Sequence, residues 1–181
     1  TWQKLKVTDD TLDFRDIDAV DAQTAYALGT GNGPASRIYK TTHAGKSWQL
    51  QFKNEDEKAF FDAMTFSDAT HGIVFGDSVD LKLYVLMTAD GGRTWSRVPY
   101  ANLPAAQGNE GAFAATATNI AVNGKSHAWI GTGAAPKSRV LPTSDGGRTW
   151  QVADTPLASG PSAGIFSVAF RDTKHGVVVG G

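Results

Sequence analysis

Cysteine is absent from the 181-residue chain. Its absence excludes disulfide bonds, thiolate metal sites, thiol redox chemistry and a cysteine nucleophile. The compartment stays open on this ground, because an all-β domain of this size does not need disulfide bonds for stability.

Neither sign of charge is in excess, since the chain contains 17 Lys and Arg and 18 Asp and Glu, which gives a formal net charge of −1. This balance removes the usual electrostatic argument for nucleic acid or an anionic membrane surface as a partner. Long apolar runs are also missing, and none approaches the ~20 residues of a membrane-spanning helix. We therefore expect no nucleic-acid partner and no transmembrane segment in this sequence.

Helical periodicity is lacking as well, and the best helical fragment, residues 54–59, is too short to be stable alone. The chain instead contains 20 Gly, five Trp and nine Phe. This composition is typical of many short strands joined by tight turns, which predicts an all-β fold.

An eight-residue motif recurs along the chain. It reads TADGGRTW at 88–95, TSDGGRTW at 143–150 and TTHAGKSW at 41–48. The opening Thr-Trp-Gln matches the end of the same motif, so four tryptophans are spaced by 46, 47 and 55 residues. Periods of this size are typical of β-propeller blades, each a four-stranded sheet.

A second pattern keeps the same period and predicts the strand order within each unit. It reads FRDIDAVDAQTAYALG at 14–29, FDAMTFSDATHGIVFG at 61–76 and FSVAFRDTKHGVVVG at 166–180, with a looser copy at 113–131. Each unit is interpreted as strand A, turn, strand B, loop, strand C, the motif turn and strand D. In the second unit the strands are expected near 62–66, 72–75, 83–88 and 95–98.

The predicted fold is therefore a β-propeller of four-stranded blades, with about three blades and two part-blades in the chain. The blades are expected at 14–52, 60–98 and 113–152. The last strand of a preceding blade is expected at 1–7, and the first two strands of the next at 165–181.

The recurring motif has a local physical explanation as a turn between strands C and D. A Thr hydroxyl and an Asp carboxylate accept hydrogen bonds from the exposed backbone N–H groups, and Gly supplies positive φ. The Trp opens strand D and packs against a neighbouring sheet. We assign a structural role to Thr41, His43, Gly45 and Trp48, to Thr88, Asp90, Gly92 and Trp95, and to Thr143, Asp145, Gly147 and Trp150. His43 in place of Asp puts only the capping of the first turn in doubt.

The pattern [ST]-x-D-x-G-x-[ST]-W resembles the Asp-box, or bacterial neuraminidase repeat. The companion pattern F-x-D-x-x-x-G-x-x-x-G is similar to the photosystem II stability/assembly factor-like propellers, over nearly the whole chain. The resemblance implies a periplasmic or extracellular protein that holds a protein partner or a subunit of a larger complex. Asp-boxes also occur in glycosidases, sorting receptors and toxins, so they indicate the fold more than the function.

Blade number leads to a further expectation. Propellers of this group usually close with six to eight blades, and an open stack leaves two sheet edges and two apolar faces in water. We therefore interpret the chain as a piece of a longer one, with a self-paired half-propeller as the alternative.

Motifs for catalysis and cofactors are weak in this sequence. All four His fall at turn positions of the repeat, so neither a metal site nor a catalytic triad is assigned. The two Gly-Thr-Gly segments at 29–31 and 131–133 lack the following helix that a dinucleotide needs, so no cofactor is expected. A sialidase-like hydrolase needs an Arg clamp, a Tyr–Glu pair and an acid/base Asp. No clear Tyr–Glu pair is present, and no catalytic residue is assigned, but a glycoside hydrolase or carbohydrate-binding propeller remains the alternative.

The functional face is predicted by topology, because propellers bind ligands where the D–A and B–C loops meet around the axis. Arg37 and Arg139 stand at equivalent places in two units and are expected to form a spaced basic pair for an acidic partner surface. The candidate binding residues at this face are Arg15, Asp16, Arg37, Asp62, Asp77 and Arg139.

Overall fold

The structure, a computed structural model, describes residues 2–181. Its first sheet contains β1 (Asp13–Ala19), β2 (Ala25–Thr30), β3 (Arg37–Thr41) and β4 (Gln49–Lys53); the second contains β5 (Phe61–Phe66), β6 (Gly72–Val79), β7 (Lys82–Thr88) and β8 (Ser96–Arg97). The third contains β9 (Ile120–Asn123), β10 (His127–Gly131), β11 (Arg139–Thr143) and β12 (Ala153–Asp154), and the last contains β13 (Ile165–Phe170) and β14 (Gly176–Gly180). Within each sheet, consecutive strands are antiparallel neighbours. We call these sheets blades one to three and part-blade four.

The all-β expectation is confirmed, since residues 2–181 contain only these strands and two short 3₁₀ turns, Gly33–Ala35 and Tyr100–Asn102. In blade two the strands begin or end within a few residues of their expected limits. Blade three differs, because its first strand begins at Ile120 rather than at Phe113. Residues 113–116 close a turn instead, in which Thr116 donates to the Phe113 carbonyl through both its backbone N–H and its hydroxyl.

The strand expected at residues 1–7 is not formed in residues 2–7, and the Trp2 side chain is fully exposed. Thr1 lies outside the described residues. The physical reason is that a strand needs a hydrogen-bonded neighbour. No strand of the described chain runs beside this segment.

Packing between blades forms the core. One apolar cluster joins blades one and two, and a second joins blades two and three. Blade two is thus covered on both faces, and Phe61, Phe75 and Leu83 are fully buried in it. The outer faces of the stack remain open, since Ile17 of blade one is 66% exposed and Val177 of part-blade four is 65% exposed.

Carboxylates on β1 tie blade one to the inner strand of blade two. Asp16 Oδ2 accepts from the Met64 backbone N–H at 2.7 Å. Asp18 Oδ2 accepts from the Phe66 backbone N–H at 2.7 Å and from the Thr65 hydroxyl at 3.0 Å. These bonds satisfy inner-strand N–H groups that no strand of their own blade reaches, so they fix the spacing of the two blades.

The motif turns of blades two and three share one hydrogen-bond pattern. Asp145 Oδ1 accepts from the Thr149 backbone N–H at 3.0 Å and Oδ2 from the Thr149 hydroxyl at 2.6 Å, while Thr143 Oγ1 accepts from the Gly147 N–H at 3.1 Å. Asp90 and Thr94 repeat the first two contacts at 2.9 and 2.6 Å. Bonds from the threonine hydroxyls and N–H groups lower the pKa of both aspartates to about 2.

The turn of blade one keeps only part of this pattern. Thr41 Oγ1 still accepts from the Gly45 N–H at 3.0 Å, but the residue in the aspartate position is His43. Its ring Nδ1 lies 3.3 Å from Ser47 Oγ. One imidazole nitrogen takes the place of a carboxylate that accepts several bonds, so this turn is capped more weakly.

Replacing the carboxylate of a complete turn tests whether the aspartate contributes more to stability than His43 does in the turn of blade one. Asp145→Ala is expected to cost about 1–3 kcal/mol of unfolding free energy at pH 7, since bonds to a charged acceptor are lost. His43→Ala, the matched control, is expected to cost less than about 1 kcal/mol. Urea unfolding at several pH values measures both. Because the folded pKa of Asp145 is about 2, its contribution should fade as the pH falls from about 4 toward 2. Equal losses in the two variants would contradict the ranking.

Candidate functional site

The D–A and B–C loops lie together at the end of the blades where strands A and C begin, opposite the motif turns. We call this the loop end, and the opposite one the box end. All six candidate residues lie at the loop end, but the structure brings only some of them together. Their individual surroundings differ in burial and in partner.

Asp62 and Asp77 form a carboxyl pair, in which Asp62 is buried and Asp77 is half-buried. Asp62 follows Phe61 at a bulge in β5 and is 1% exposed, and Asp77 lies opposite on β6, within hydrogen-bonding reach of it. The chain makes room for the pair with Gly111, where a Cβ would come within 1.7 Å of Asp77 Oδ1. The pair also faces the Ala112 backbone N–H, which donates to Asp62 Oδ2 at 3.4 Å.

The two carboxyls share a proton because two buried negative charges cannot lie side by side. Burial and then the Asp77 charge hold the pKa of Asp62 well above its usual range. Burial raises the pKa of Asp77 to about 6, although the hydrogen bond from Asp62 opposes that shift. The pair therefore retains a proton to a higher pH than an isolated aspartate does.

Arg15 and Asp16 lie next to each other on β1 but serve different neighbours. The exposed Arg15 donates from Nε to Asp13 at 2.7 Å, and its charge partly stabilises the Asp62 carboxylate. Asp16 is used in the link to Met64, and burial raises its pKa to about 6. Only Arg15 of these two is available to a partner.

Arg139 corrects the expectation of a basic pair. Its side chain is 8% exposed, and Nε donates to Oε1 of the fully buried Glu110 at 2.8 Å, with a second bond from its Nη2 to Glu110 Oε2. The remaining guanidinium bond goes to the Ala105 carbonyl at 2.9 Å, and Thr132 donates to Glu110 at 2.7 Å. Arg139 is a neutralised anchor of the long D–A loop, because Glu110 lies beneath it.

Arg37 is also engaged within the chain. Its Nη1 pairs with Asp10, and its Nε donates to the Pro34 carbonyl at 2.7 Å. The side chain is 17% exposed and lies at the edge of blade one. The two arginines therefore do not form the expected spaced pair of free cations, and the binding of an acidic partner surface there stays a prediction.

An exposed hairpin apex at the loop end was missed from the sequence. Val79 pairs with Lys82, which leaves Asp80 and Leu81 as a two-residue turn with φ of 50° and 60°. Hairpins of this form favour Asn-Gly or Asp-Gly, and a leucine with positive φ carries backbone strain. Leu81 is nevertheless 63% exposed. A strained, exposed leucine is the kind of residue that a binding role retains.

Tyr100 lies beside this hairpin and extends the exposed surface. It is 42% exposed, and Lys82 Nζ lies 4.6 Å from its ring centroid. The Arg97 guanidinium lies 4.5 Å from the centroid of the same ring and 3.7 Å from that of Tyr84. We call Leu81, Lys82 and Tyr100 the hairpin patch. Of these residues, only Tyr100 could be suspected from the composition of the sequence. The positive φ and the exposure of Leu81 arise only in the folded hairpin.

The arrangement suits binding better than hydrolysis. Glycosidases need two carboxyls roughly 5–9.5 Å apart on either side of a sugar bond. Asp62 and Asp77 instead lie within hydrogen-bonding reach of each other, and Asp62 is 1% exposed. Within residues 2–181 no cluster of three or more His, Asp or Glu side chains is arranged to hold a metal. Those residues also include no helix with the length and apolarity to cross a membrane.

Comparisons with known proteins place the chain in a fold class. No protein-family model and no curated protein matches it. Among solved structures, YCF48 bound to D1 peptide has a TM-score of 0.56 at 18% identity, over 82% of this chain and 46% of that one. YCF48 from Cyanidioschyzon merolae has a TM-score of 0.57 at 17% identity, over 97% and 49%. The GH74 enzyme of Niastella koreensis has 0.51 at 16%, over 86% and 24%.

These similarities show that the fold is that of a β-propeller. Three complete blades and a two-stranded part-blade fit a partial propeller. The chain spans about half the length of the two YCF48 chains. The identities are too low to show more than the fold.

The shared proton predicts a distinctive pH dependence. Raised carboxyl pKa values lower stability as the pH rises through them, since the unfolded chain then binds fewer protons. Asp62→Asn keeps a donor to Asp77 without a charge. We therefore expect the variant to match the wild type near pH 4 and to become progressively more stable than it from pH 4 to 8 in urea unfolding.

Asp80→Asn is the control for this experiment, because Asp80 is exposed and its pair with Lys58 lowers its pKa. Its stability relative to the wild type should not rise between pH 4 and 8. Parallel profiles for Asp62→Asn and the wild type would show that the pair shares no proton.

Arg139 and Arg37 are expected to differ sharply on substitution. Arg139→Gln leaves Glu110 buried without its counter-charge and should cost about 3–5 kcal/mol of unfolding free energy. Arg37→Gln should cost at most about 1 kcal/mol, because Asp10 is half exposed. Adding Glu110→Gln to Arg139→Gln should recover part of the loss. Similar costs for the two single variants would count against a buried ionic anchor.

Proposed function

We propose that the chain is a non-catalytic binding or assembly module that engages a protein partner, or a subunit of a larger complex, through its loop end. The observation that carries the proposal is the strained, exposed Leu81 of the hairpin patch. A glycine or asparagine at this apex would relieve the strain, so a leucine here is retained against stability.

The composition of the hairpin patch supports a protein partner. An exposed leucine and tyrosine form an apolar centre, and Lys82 together with the exposed ion pair of Lys58 and Asp80 forms a polar rim. Protein interfaces combine an apolar, aromatic centre with such a rim. One solved propeller of similar fold is described with a bound peptide, and the sequence resembles assembly-factor propellers. A periplasmic or extracellular location belongs to this proposal through the same resemblance.

Substitution of the hairpin apex separates binding from stability. Leu81→Gly should stabilise the fold by about 1 kcal/mol, because the left-handed conformation no longer costs energy. It should also weaken partner capture several-fold, because the apolar centre is lost. Thermal unfolding and quantitative co-purification at constant stoichiometry from cells expressing the protein measure these effects.

Leu50→Gly is the matched control, since Leu50 is 47% exposed on β4 away from the hairpin patch. It should destabilise the strand and leave capture unchanged. Undiminished partner capture by the Leu81→Gly variant would show that the hairpin patch is not the binding surface. Turnover of a fluorogenic glycoside by the wild type, lost in Asp62→Asn, would instead favour the glycoside hydrolase.

A further inference from the structure

Blade two differs from blades one and three at the position two residues after the motif tryptophan. In blades one and three this position holds Leu50 and Val152, which are 47% and 44% exposed. In blade two it holds Arg97, whose side chain is only 24% exposed. An arginine at such an open strand-D position normally extends into water. The structure must therefore supply a cover for Arg97 that the other two blades lack.

Two tyrosine rings provide this cover. The Arg97 guanidinium lies 3.7 Å from the centroid of the Tyr84 ring and 4.5 Å from that of the Tyr100 ring. Both distances are within the range of a cation–π contact. Because the guanidinium is planar, it stacks on aromatic rings in a way that a lysine ammonium cannot. Arg97 therefore connects Tyr84 of β7 with Tyr100 of the D–A loop.

The polar contacts of Arg97 are poor by comparison. Within residues 2–181 neither its Nε nor its Nη2 has a hydrogen-bond acceptor, although both atoms are buried. Its Nη1 lies 3.8 Å from Asp56 Oδ2, which is too far for a hydrogen bond. Buried donors without acceptors lower stability. Stability therefore does not explain an arginine at this position, and its contacts with the two rings are what it contributes.

Tyr84 is the fixed end of this row of side chains. It is buried in the cluster that joins blades one and two, where its ring lies 5.5 Å from that of Phe61. Its hydroxyl donates to Oδ1 of the buried Asn54 at 3.3 Å. A ring held by both packing and a hydrogen bond gives Arg97 a rigid surface on which to stack.

Tyr100 is the free end of the row. The backbone around it is anchored, because Val98 is buried and Leu103 packs against the cluster of blades two and three. The Tyr100 side chain is exposed, and besides Arg97 it meets Lys82 Nζ at 4.6 Å from its ring centroid. Lys82 is itself exposed on a flexible stem, so it restricts the ring little. Arg97 is the contact that ties the ring to the blade.

We propose that Arg97 is a positioning residue of the hairpin patch, which holds the Tyr100 ring in the orientation in which a partner meets it. A ring that is already ordered loses less conformational entropy on binding, so the affinity is higher. The effect on a partner rests on the proposed function. The order of the ring is a property of the free protein and is measured without a partner.

NMR relaxation of the tyrosine ring carbons reports the order of Tyr100 directly. The chain contains four tyrosines, and the buried Tyr26, Tyr39 and Tyr84 serve as internal references. In the wild type we expect Tyr100 to be as ordered as these three on the ps–ns timescale. In Arg97→Met it should become mobile while the references stay unchanged. A Tyr100 ring that relaxes alike in the two proteins would overturn the inference.

Partner capture and thermal unfolding separate positioning from a structural role. Arg97→Met should weaken capture about two- to tenfold, as expected when one side chain must be ordered on binding. Its thermal midpoint should change by less than about 3 °C, because removal of the buried, unpaired donors offsets the loss of the stack. A larger fall in the midpoint, with Tyr100 still ordered, would show a structural role and contradict the proposal.

Two further variants provide controls. Val152→Met makes a similar change at the equivalent, exposed position of blade three and should leave both ring order and capture unchanged. Arg97→Lys keeps the charge but removes the planar group, so Tyr100 should remain mobile in it. Full recovery of ring order in Arg97→Lys would show that charge alone acts, against the role of the stack.

The Leu81→Gly variant distinguishes failure of this inference from failure of the proposed function. Reduced capture by Leu81→Gly with unchanged capture by Arg97→Met would overturn the positioning role alone. Unchanged capture by both variants would overturn the proposed function and this inference with it. Reduced capture by both, with a mobile Tyr100 only in Arg97→Met, is the result that we expect.

Discussion

Each blade is a small sheet with two apolar faces, and contact between blades is the interaction on which the rest of the structure depends. A four-stranded sheet cannot bury its own faces, so its stability comes from its neighbours. Blade two has a neighbour on both sides and supplies more of the fully buried large side chains than any other blade, including Phe61, Phe75 and Leu83. Each such side chain contributes about 1.5–3 kcal/mol when removed from water.

The pKa values of the aspartates shift in opposite directions at the two ends of the stack. At the box end the carboxylates of Asp90 and Asp145 accept several bonds in partial contact with water, and their pKa values fall to about 2. At the loop end Asp62 is buried and Asp16 and Asp77 are half-buried, and the pKa values of all three rise. The box end is therefore held by charge that is present at neutral pH, whereas burial at the loop end disfavours the charged form of the carboxyls.

Most of the fold could be predicted from the repeat, because the motif turn and the alternation of strands depend on residues that are close together in the chain. Thr143, Asp145 and Thr149 bond within seven residues of each other, so a motif suffices to recognise them. Contacts between distant residues were not visible in the same way. Glu110 and Arg139 are 29 residues apart, and the sequence around neither residue predicts that they form an ion pair.

The sequence predicted at which end of the blades the candidate residues lie, but not their burial or their partners. The loop end was chosen from topology, and all six residues do lie there, yet burial and pairing remove Asp16, Asp62 and Arg139 from contact with a partner. Leu81 was not selected, since its positive φ and its exposure arise only when Val79 and Lys82 pair.

The most direct test of this account is native-state hydrogen exchange resolved by residue. If blade contacts hold the protein together, amides of β6 and β7 in blade two should exchange only through global unfolding. Amides of β14, with one open face, should exchange through local opening and far sooner. Uniform protection of β7 and β14 would contradict the account, because it would show that stability does not depend on how many neighbours a blade has.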